Sequence, residues 1–271
     1  MDKKMFCFQC EQTVGCTGCT GNAGVCGKKA DTAKLQDELT GALISLAKAA
    51  DGTETISKRT GQIIIEGLFT TVTNVSFDNA AIENMIQKVR AEKERLVPNC
   101  RTEEYDLQQL WNANEDIRSL KSLILFGIRG MAAYAYHANV LNYEDAEVNR
   151  FFCEALSKIG YEESTEALLS TVLKTGEINL KCMALLDKAN TETYGTPEPT
   201  DVTLTVEKGP FIVVTGHDLK DLQLLLEQTE GKGINIYTHG EMLPAHAYPF
   251  LKKYAHLKGN FGTAWQNQQK E

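Results

Sequence analysis

Five cysteines lie within the first 26 residues of the chain, and they constrain its fold more than any other feature. Small and polar residues, many of them glycine and threonine, separate them, and the stretch contains no run of large apolar side chains. It cannot build a hydrophobic core of its own, so its thiols are the groups that could hold it in place. The five are Cys7, Cys10, Cys16, Cys19 and Cys26.

The spacing of these cysteines is typical of a metal site. Cys7 and Cys10 are separated by two residues, so their thiolates can reach one metal atom or two neighbouring atoms of a cluster. Zinc sites generally use two such short pairs, and Cys16 with Cys19 could supply the second. The longer step to Cys26 and the intervening glycines favour an iron–sulfur cluster, because glycine lets backbone N–H groups approach inorganic sulfur. Zinc, and redox or structural thiols, remain alternatives.

The charge of the chain limits its partners. A formal net charge of −8 argues against nucleic acid and against an anionic membrane surface, both of which attract basic chains. No apolar stretch approaches the ~18 residues that span a bilayer, and the first residues lack the apolar region of a signal peptide. We therefore expect a cytoplasmic protein with no nucleic-acid or membrane partner, in which clustered cysteines are more often ligands than disulfides.

Helical periodicity dominates the chain from residue 31 to about residue 190. Leu35, Leu39, Leu43 and Leu46 follow each other at three- and four-residue steps and form one apolar face, with Asp31 as the predicted N-cap. The small residues of 117–140 predict a central, buried helix. The predicted bundle has about seven helices, covering 31–50, 60–74, 77–97, the region 103–141 with a break near 112–115, 143–159, 164–175 and 178–190.

The pattern changes after a turn-rich segment at 191–200. Residues 211–214 predict a buried strand, 219–228 a helix and 234–237 a second strand, and this order indicates a βαβ unit with a parallel sheet. Two strands are too few for a free-standing layer, and we expect no closing strand, so the chain is interpreted as a fragment.

The predicted fold is therefore mainly α. A Cys-rich cluster-binding loop over 1–30 packs on a helical bundle over 31–200, and 201–271 begins a Rossmann-like α/β domain that is truncated.

Several motifs resemble those of the hybrid cluster proteins, also called prismane proteins or hydroxylamine reductases. They are Met5-Phe-Cys-Phe-Gln-Cys-Glu-Gln-Thr13, Gly18-Cys-Thr20, Gly24-Val-Cys-Gly-Lys28, Thr238-His-Gly-Glu-Met-Leu-Pro-Ala-His-Ala-Tyr-Pro249 and the segment 259–271. The resemblance covers essentially the whole chain. It implies that four cysteines bind a [4Fe-4S] or [2Fe-2S] cluster, and the matching residues are Cys7, Cys10, Cys19 and Cys26. Cys16 is the alternative third ligand.

The resemblance also implies a second, hybrid iron–sulfur–oxygen cluster where substrate is reduced, with a histidine and a glutamate among its ligands. His217 and Glu241 each follow a predicted strand, and ligand sites of open α/β sheets lie beyond the carboxyl ends of strands. We therefore assign these two residues to the hybrid cluster. His239 is a competing ligand, and His246 could shape the pocket instead.

The implied function is reduction of hydroxylamine to ammonia, with nitric oxide as a further substrate and an external electron donor as partner. No cysteine follows Cys182, so we expect the isolated 271-residue chain to be inactive. One alternative is a non-catalytic electron-transfer or truncated fragment that carries only the N-terminal cluster. Another is a zinc-stapled helical interaction domain.

Overall fold

A computed structural model describes residues 5–10, 17–53, 55–72, 75–98, 104–268 and 270–271. Within them the chain forms helices first and a small sheet later, as predicted. The helices are α1 (Ala30–Asp51), α2 (Lys58–Thr70), α3 (Asn79–Leu96), α4 (Leu107–Trp111), α5 (Glu115–Val140), α6 (Ala146–Tyr161), α7 (Thr165–Tyr194), α8 (Leu219–Thr229) and α9 (Pro249–Lys252). The strands are β1 (Phe211–Thr215), β2 (Asn235–His239) and β3 (Leu257–Asn260), and 3-10 helices cover Gly240–Ala247 and Trp265–Asn267.

The chain divides into two compact units. The first comprises Met1–Asn139 and Glu144–Leu185, and the second comprises Val140–Tyr143 and Leu186–Glu271. The mainly helical fold with a parallel α/β part is therefore confirmed. In the part of the chain that the structure describes, no helix is long and apolar enough to cross a membrane.

Helix α1 forms the centre of the first unit. Every residue from Leu39 to Ala47 is buried, and α1 packs chiefly against α3 and α6. A helix buried on all sides needs small residues between its large ones, and Gly41 and Ala42 fill this role. The prediction that the helix at 117–140 is the central one was wrong, because α5 leaves Leu123 and Tyr134 exposed.

The helix ends agree with the sequence at most positions. Asp78 caps α3 and accepts hydrogen bonds from the N–H groups of Ala80 and Ala81, as its position predicts. Gly52 ends α1, but the N-cap of α1 is Lys29 rather than Asp31, which lies in the first turn. There its carboxylate still complements the helix dipole.

Two predicted helices at 164–175 and 178–190 are one helix, α7. The sequence predicts a break between residues 175 and 178, yet the helix continues through Gly176 and is 30 residues long. A single glycine costs only about 1 kcal/mol relative to alanine, which the packing of the remaining residues can offset. The break near 112–115 is confirmed, because α4 ends at Trp111 and α5 begins at Glu115.

The sheet of the second unit has three parallel strands in the order β1-β2-β3. The prediction that no third strand closes the sheet was wrong, since Leu257–Asn260 pairs with β2. Strand β1 is an edge strand whose residues Phe211, Ile212 and Val213 are exposed, so the prediction of a buried strand there was also wrong. An apolar run shows β propensity, but it cannot show whether another element covers the strand.

Gly41 marks the closest approach within the first unit. A Cβ at this position would overlap the carbonyl oxygen of Tyr105, a backbone atom of the segment that crosses α1. We expect Gly41→Ala to lower the free energy of unfolding by about 1–3 kcal/mol, the usual cost of overpacking a core. Gly176→Ala is the matched control, because its Cβ meets nothing within 4 Å, and it should stabilise α7 by about 0.5–1 kcal/mol. Urea denaturation of both variants measures the difference, and equal effects would contradict the close approach.

Candidate functional site

Two of the predicted cysteine ligands face each other across the loop. The Cys7 N–H donates to the Cys19 carbonyl at 3.1 Å, and the Cys19 N–H donates back to the Cys7 carbonyl at 2.8 Å. This antiparallel bridge places both residues side by side, and both are buried with free thiols. Cys10 and Cys26 are free and half-buried, whereas Cys16 lies outside the described residues.

A tight turn presents Cys26. The Gly24 N–H donates to the Lys28 carbonyl at 2.8 Å, and the Gly27 N–H donates to the Gly24 carbonyl at 2.9 Å. Gly27 has a φ of +84°, a conformation that favours glycine. A Cβ at Gly24 would stand 3.4 Å from the Cys26 sulfur and 3.3 Å from the Met5 methyl carbon. Glycine at position 24 therefore keeps space beside this sulfur.

Aromatic side chains anchor the loop to the helical unit. The rings of Phe6 and Phe8 lie 5.1 and 4.7 Å from the ring of Trp111, the last residue of α4. Phe8 is part of the main hydrophobic core of that unit. The residues on either side of Cys7 are thus fixed by packing, and the loop does not depend on its thiols alone.

A buried polar layer lies beneath the loop. Arg129 of α5 donates to the Gln9 carbonyl at 2.7 Å, to the Gln9 side-chain oxygen at 3.1 Å and to the Thr40 hydroxyl at 2.9 Å. The Gln9 amide in turn donates to the Asp37 carboxylate, and Lys28 donates to the Gln36 side-chain oxygen. This layer ties the segment Cys7–Cys10 and the end of the loop to α1 and α5.

Burial shifts the pKa values in this layer. It raises the pKa of Asp37 to about 7, against the hydrogen bond from Gln9 and the positive charges of Arg129 and Lys28. It lowers the pKa of Arg129 to about 10, against the negative charges of Asp37 and nearby thiolates. Burial also raises the pKa of the Cys7 thiol, while the Gln9 main chain and the Lys28 charge lower it. The positive charges of Arg129 and Lys28 therefore act on the cysteine loop.

The donor chemistry of the loop fits an iron–sulfur cluster. It offers free thiols, glycines that leave room at sulfur, and a buried lysine whose charge opposes the effect of burial, which raises the pKa of the Cys7 thiol. In the ranges that the structure describes, no three His, Cys, Asp or Glu side chains stand together closely enough to hold one metal ion. A four-iron cluster binds each thiolate through a different iron, so it does not require such a group.

His217 and Glu241 come together at one edge of the sheet. His217 lies just past β1 and Glu241 just past β2, and the His217 ring nitrogen Nε2 is hydrogen-bonded to the Glu241 carboxylate. Both side chains are exposed, 68% and 53% respectively. Asp218, rather than His217, caps α8 by accepting from the Asp221 N–H at 3.0 Å. His217 is therefore not needed to cap the helix.

The competing histidines lie deeper. His239 ends β2, is almost completely buried, and pairs with the Glu271 carboxylate at 3.0 Å. His246 is also buried and shares a hydrogen bond with the Thr238 hydroxyl at 2.9 Å. Both are held inside the second unit, whereas the His217–Glu241 pair faces solvent.

Three hydrogen bonds hold the Glu271 side chain in place. Its carboxylate accepts from the Thr263 N–H at 2.9 Å and from the Thr263 hydroxyl at 2.6 Å, in addition to His239. These hydrogen bonds lower its pKa to about 2. The structure therefore places the Glu271 carboxylate in a defined hydrogen-bonded position.

The buried layer contains residues that sequence reasoning missed, Arg129 and Asp37 among them. The available signal was a lone arginine within the apolar pattern of α5, four residues after Leu125 and three before Ala132. A charged residue on the apolar face of a helix is rarely buried without a partner. That pattern could have identified Arg129 as a buried charged residue. The local sequence, however, does not indicate which residues it contacts.

The described chain thus combines a helical bundle, an N-terminal loop with free thiols and a parallel α/β unit. The family model described as the Prismane/CO dehydrogenase family matches residues 5–271. The chain therefore belongs to the Prismane/CO dehydrogenase family.

Curated proteins are similar in sequence to nearly the whole chain. Proteins named "Hydroxylamine reductase" are 48% identical in Thermodesulfovibrio yellowstonii, 45% in Solidesulfovibrio magneticus and 44% in Porphyromonas gingivalis. The alignments cover 98%, 98% and 100% of this chain and 54% of each relative. The chain thus spans about half the length of the curated relatives it matches.

A solved structure, carbon monoxide dehydrogenase IV from Carboxydothermus hydrogenoformans, aligns with 98% of this chain and 44% of that chain. The sequence identity is 18% and the TM-score is 0.34, which is too low to support an argument.

Proposed function

We propose that this chain is the N-terminal-cluster and partial active-site portion of a hydroxylamine reductase. The reaction is the reduction of hydroxylamine to ammonia and water, in which the N–O bond breaks and two electrons and two protons are taken up. Nitric oxide is a further candidate substrate, and an external donor supplies the electrons. The observation that carries the proposal is the backbone bridge that places Cys7 and Cys19, both buried with free thiols, side by side in a loop held by the buried Arg129.

Four thiolates of the loop would hold the N-terminal cluster, which we assign as [4Fe-4S], with [2Fe-2S] as the alternative. When bound, it would supply one-electron transfer between the donor and the second site. The protein residues provide three things. Cys7, Cys10, Cys19 and Cys26 supply the sulfur donors, Phe6 and Phe8 anchor the loop, and the glycines leave space around sulfur.

His217 and Glu241 would supply two ligands of the hybrid iron–sulfur–oxygen cluster. An imidazole nitrogen and a carboxylate oxygen are suitable donors for iron that is partly bridged by oxygen. Their mutual hydrogen bond is exposed, and exposed pairs of this kind contribute at most about 1 kcal/mol, so it can open to accept iron. His239 is held by Glu271 and His246 by Thr238. Both would support this edge of the sheet without binding iron.

A second candidate function is electron transfer without catalysis. The sequence has no cysteine after Cys182, and Cys153 and Cys182 are buried within helices. These buried thiols are poor donors, because burial raises the pKa of each to about 12. Only one imidazole and one carboxylate are assigned to the hybrid site, and we assign no thiol of the described residues to it. The 271-residue chain would then carry the N-terminal cluster alone.

Metal analysis of anaerobically purified protein tests the proposal. We expect iron and acid-labile sulfide in equal amounts, about four of each per chain for a Cys-ligated [4Fe-4S] cluster, and one paramagnetic signal after reduction. About two of each would indicate [2Fe-2S]. One zinc per chain and no sulfide would contradict the iron–sulfur assignment and favour a zinc-stapled domain.

A further inference from the structure

Two cations are buried beneath the cysteine loop. Arg129 is 4% exposed and Lys28 is 2% exposed, although lysine and arginine are almost never fully buried unless they are paired. Arg129 lies on α5, and Lys28 follows Cys26 by two residues. Their burial therefore requires a partner that compensates two positive charges.

The hydrogen bonds of both cations go to neutral groups. Arg129 donates to the Gln9 carbonyl, the Gln9 amide oxygen and the Thr40 hydroxyl, and Lys28 donates to the Gln36 amide oxygen. The Arg129 Nε has no hydrogen-bond partner among the described residues. Within the same residues, these contacts of both cations are to neutral groups and not to a carboxylate at ion-pair distance. Neutral acceptors satisfy hydrogen bonds, but they leave the charge uncompensated.

Asp37 is the nearest carboxylate of the layer, and it compensates only part of this charge. It accepts from Gln9, which stands between it and Arg129. Burial raises its pKa to about 7, which weakens its negative charge near neutral pH. One carboxylate supplies at most one negative charge, so among the described residues at least one of the two positive charges remains in a region where a lone charge is costly.

Among the described residues, the cysteine loop is the other part of the molecule that both cations contact. The Arg129 guanidinium holds the Gln9 main chain, which lies between Cys7 and Cys10. Lys28 lies two residues after Cys26 and ties the end of that turn to α1 through Gln36. The positive charge of Lys28 acts on the Cys7 side chain, and that of Arg129 acts on Cys7 and Cys10. Each cation is thus fixed to one segment of the loop that carries the sulfur donors.

We propose that Arg129 and Lys28 are positioning residues that hold the two cysteine segments and supply the positive charge that raises the reduction potential of the bound cluster. The inference rests on the cluster of the proposed function. When the cluster gains one electron from an external low-potential donor, one negative charge is added and no covalent bond changes. Nearby positive charge stabilises the reduced form, and it does so strongly where water is excluded.

The test compares single variants of the cluster-loaded protein by redox titration. In Arg129→Gln and Lys28→Gln, we expect the ratio of reduced to oxidised cluster at a fixed potential to fall about tenfold. For a one-electron couple this is a shift of about 59 mV to lower potential. Arg129→Lys keeps the charge and should stay close to the unmodified protein in potential, although it loses the planar fork that holds Gln9.

Lys121→Gln is the matched control. Lys121 is also 2% exposed, lies on the same helix about two turns before Arg129, and pairs with Glu163 at 2.8 Å rather than with the loop. It should lose stability without changing the potential. Cluster-loaded Arg129→Gln and Lys28→Gln with unchanged potentials would overturn the inference, and so would an equal shift in Lys121→Gln.

Iron and sulfide content separates the remaining outcomes. If Arg129→Gln folds but loses its cluster while Arg129→Lys and Lys121→Gln retain theirs, the positioning role is supported. If Arg129→Gln does not fold, Lys28→Gln decides the question by its potential. An unmodified protein with no iron and no sulfide would overturn the proposed function itself. A bound cluster whose reduction potential does not change in Arg129→Gln and Lys28→Gln would overturn only the inference.

Discussion

Replacing Cys19 with serine is expected to lower bound iron and sulfide by about tenfold or more, because a cluster loses one of its four thiolate ligands and ligand loss costs more than the loss of a supporting group. Cys19 faces Cys7 across two backbone hydrogen bonds and is buried, so its thiol has a defined position beside Cys7. Iron and sulfide analysis of anaerobically purified protein measures the change.

Two further serine variants serve as controls for this prediction. Cys153→Ser places a hydroxyl in the core of the helical unit, where it costs about 1–3 kcal/mol of stability but leaves the loop untouched. Cys16→Ser tests the alternative ligand directly and should retain the cluster. If Cys16→Ser loses iron and Cys19→Ser keeps it, the assignment of the third ligand is wrong.

The cluster-loaded 271-residue chain is expected to reduce hydroxylamine at least about 1,000-fold more slowly than the T. yellowstonii relative, a difference of roughly 4 kcal/mol in transition-state stabilisation. The reason is the donor set that we propose for the second site, which comprises His217 and Glu241, with no cysteine near either residue in the sequence. Both proteins are assayed side by side with the same artificial electron donor, and ammonia is measured.

The control for this second prediction is a fusion that supplies the part of the relative outside the match. Turnover should return in the fusion, and His217→Ala or Glu241→Gln should remove it again while the signal of the N-terminal cluster stays. His256→Ala is the matched variant, because His256 hydrogen-bonds Thr229 and the Leu226 carbonyl and lies away from the pair. Rapid turnover by the unfused chain would refute the prediction.

The helices were predictable because their signals are local. Apolar spacing along α1, the Asp78 cap and the break between α4 and α5 each depend on residues within one or two turns of each other. Two errors were local, the split of α7 into two helices and the N-cap of α1, and the others concern burial and strand pairing. The edge position of β1 and the third strand Leu257–Asn260 depend on which segments pack together, and local pattern carries little information about that.

The candidate site divides in the same way. The sequence identified the cysteine loop and placed His217 and Glu241 after consecutive parallel strands, and the structure brings that pair into contact. Their roles as iron ligands, like those of the four cysteines, stay predictions. The sequence could not show that Glu271 is held by Thr263 and His239, because that arrangement depends on the fold around the end of β2.

The sequence by itself determined which donor atoms this protein has and how they are spaced along the chain. Only the tertiary structure decided that Cys7 lies opposite Cys19, and that Arg129 reaches Gln9 across 120 residues. Spacing follows directly from covalent connectivity. Burial, and the electrostatic effects that burial strengthens, arise only when distant segments pack together and exclude water.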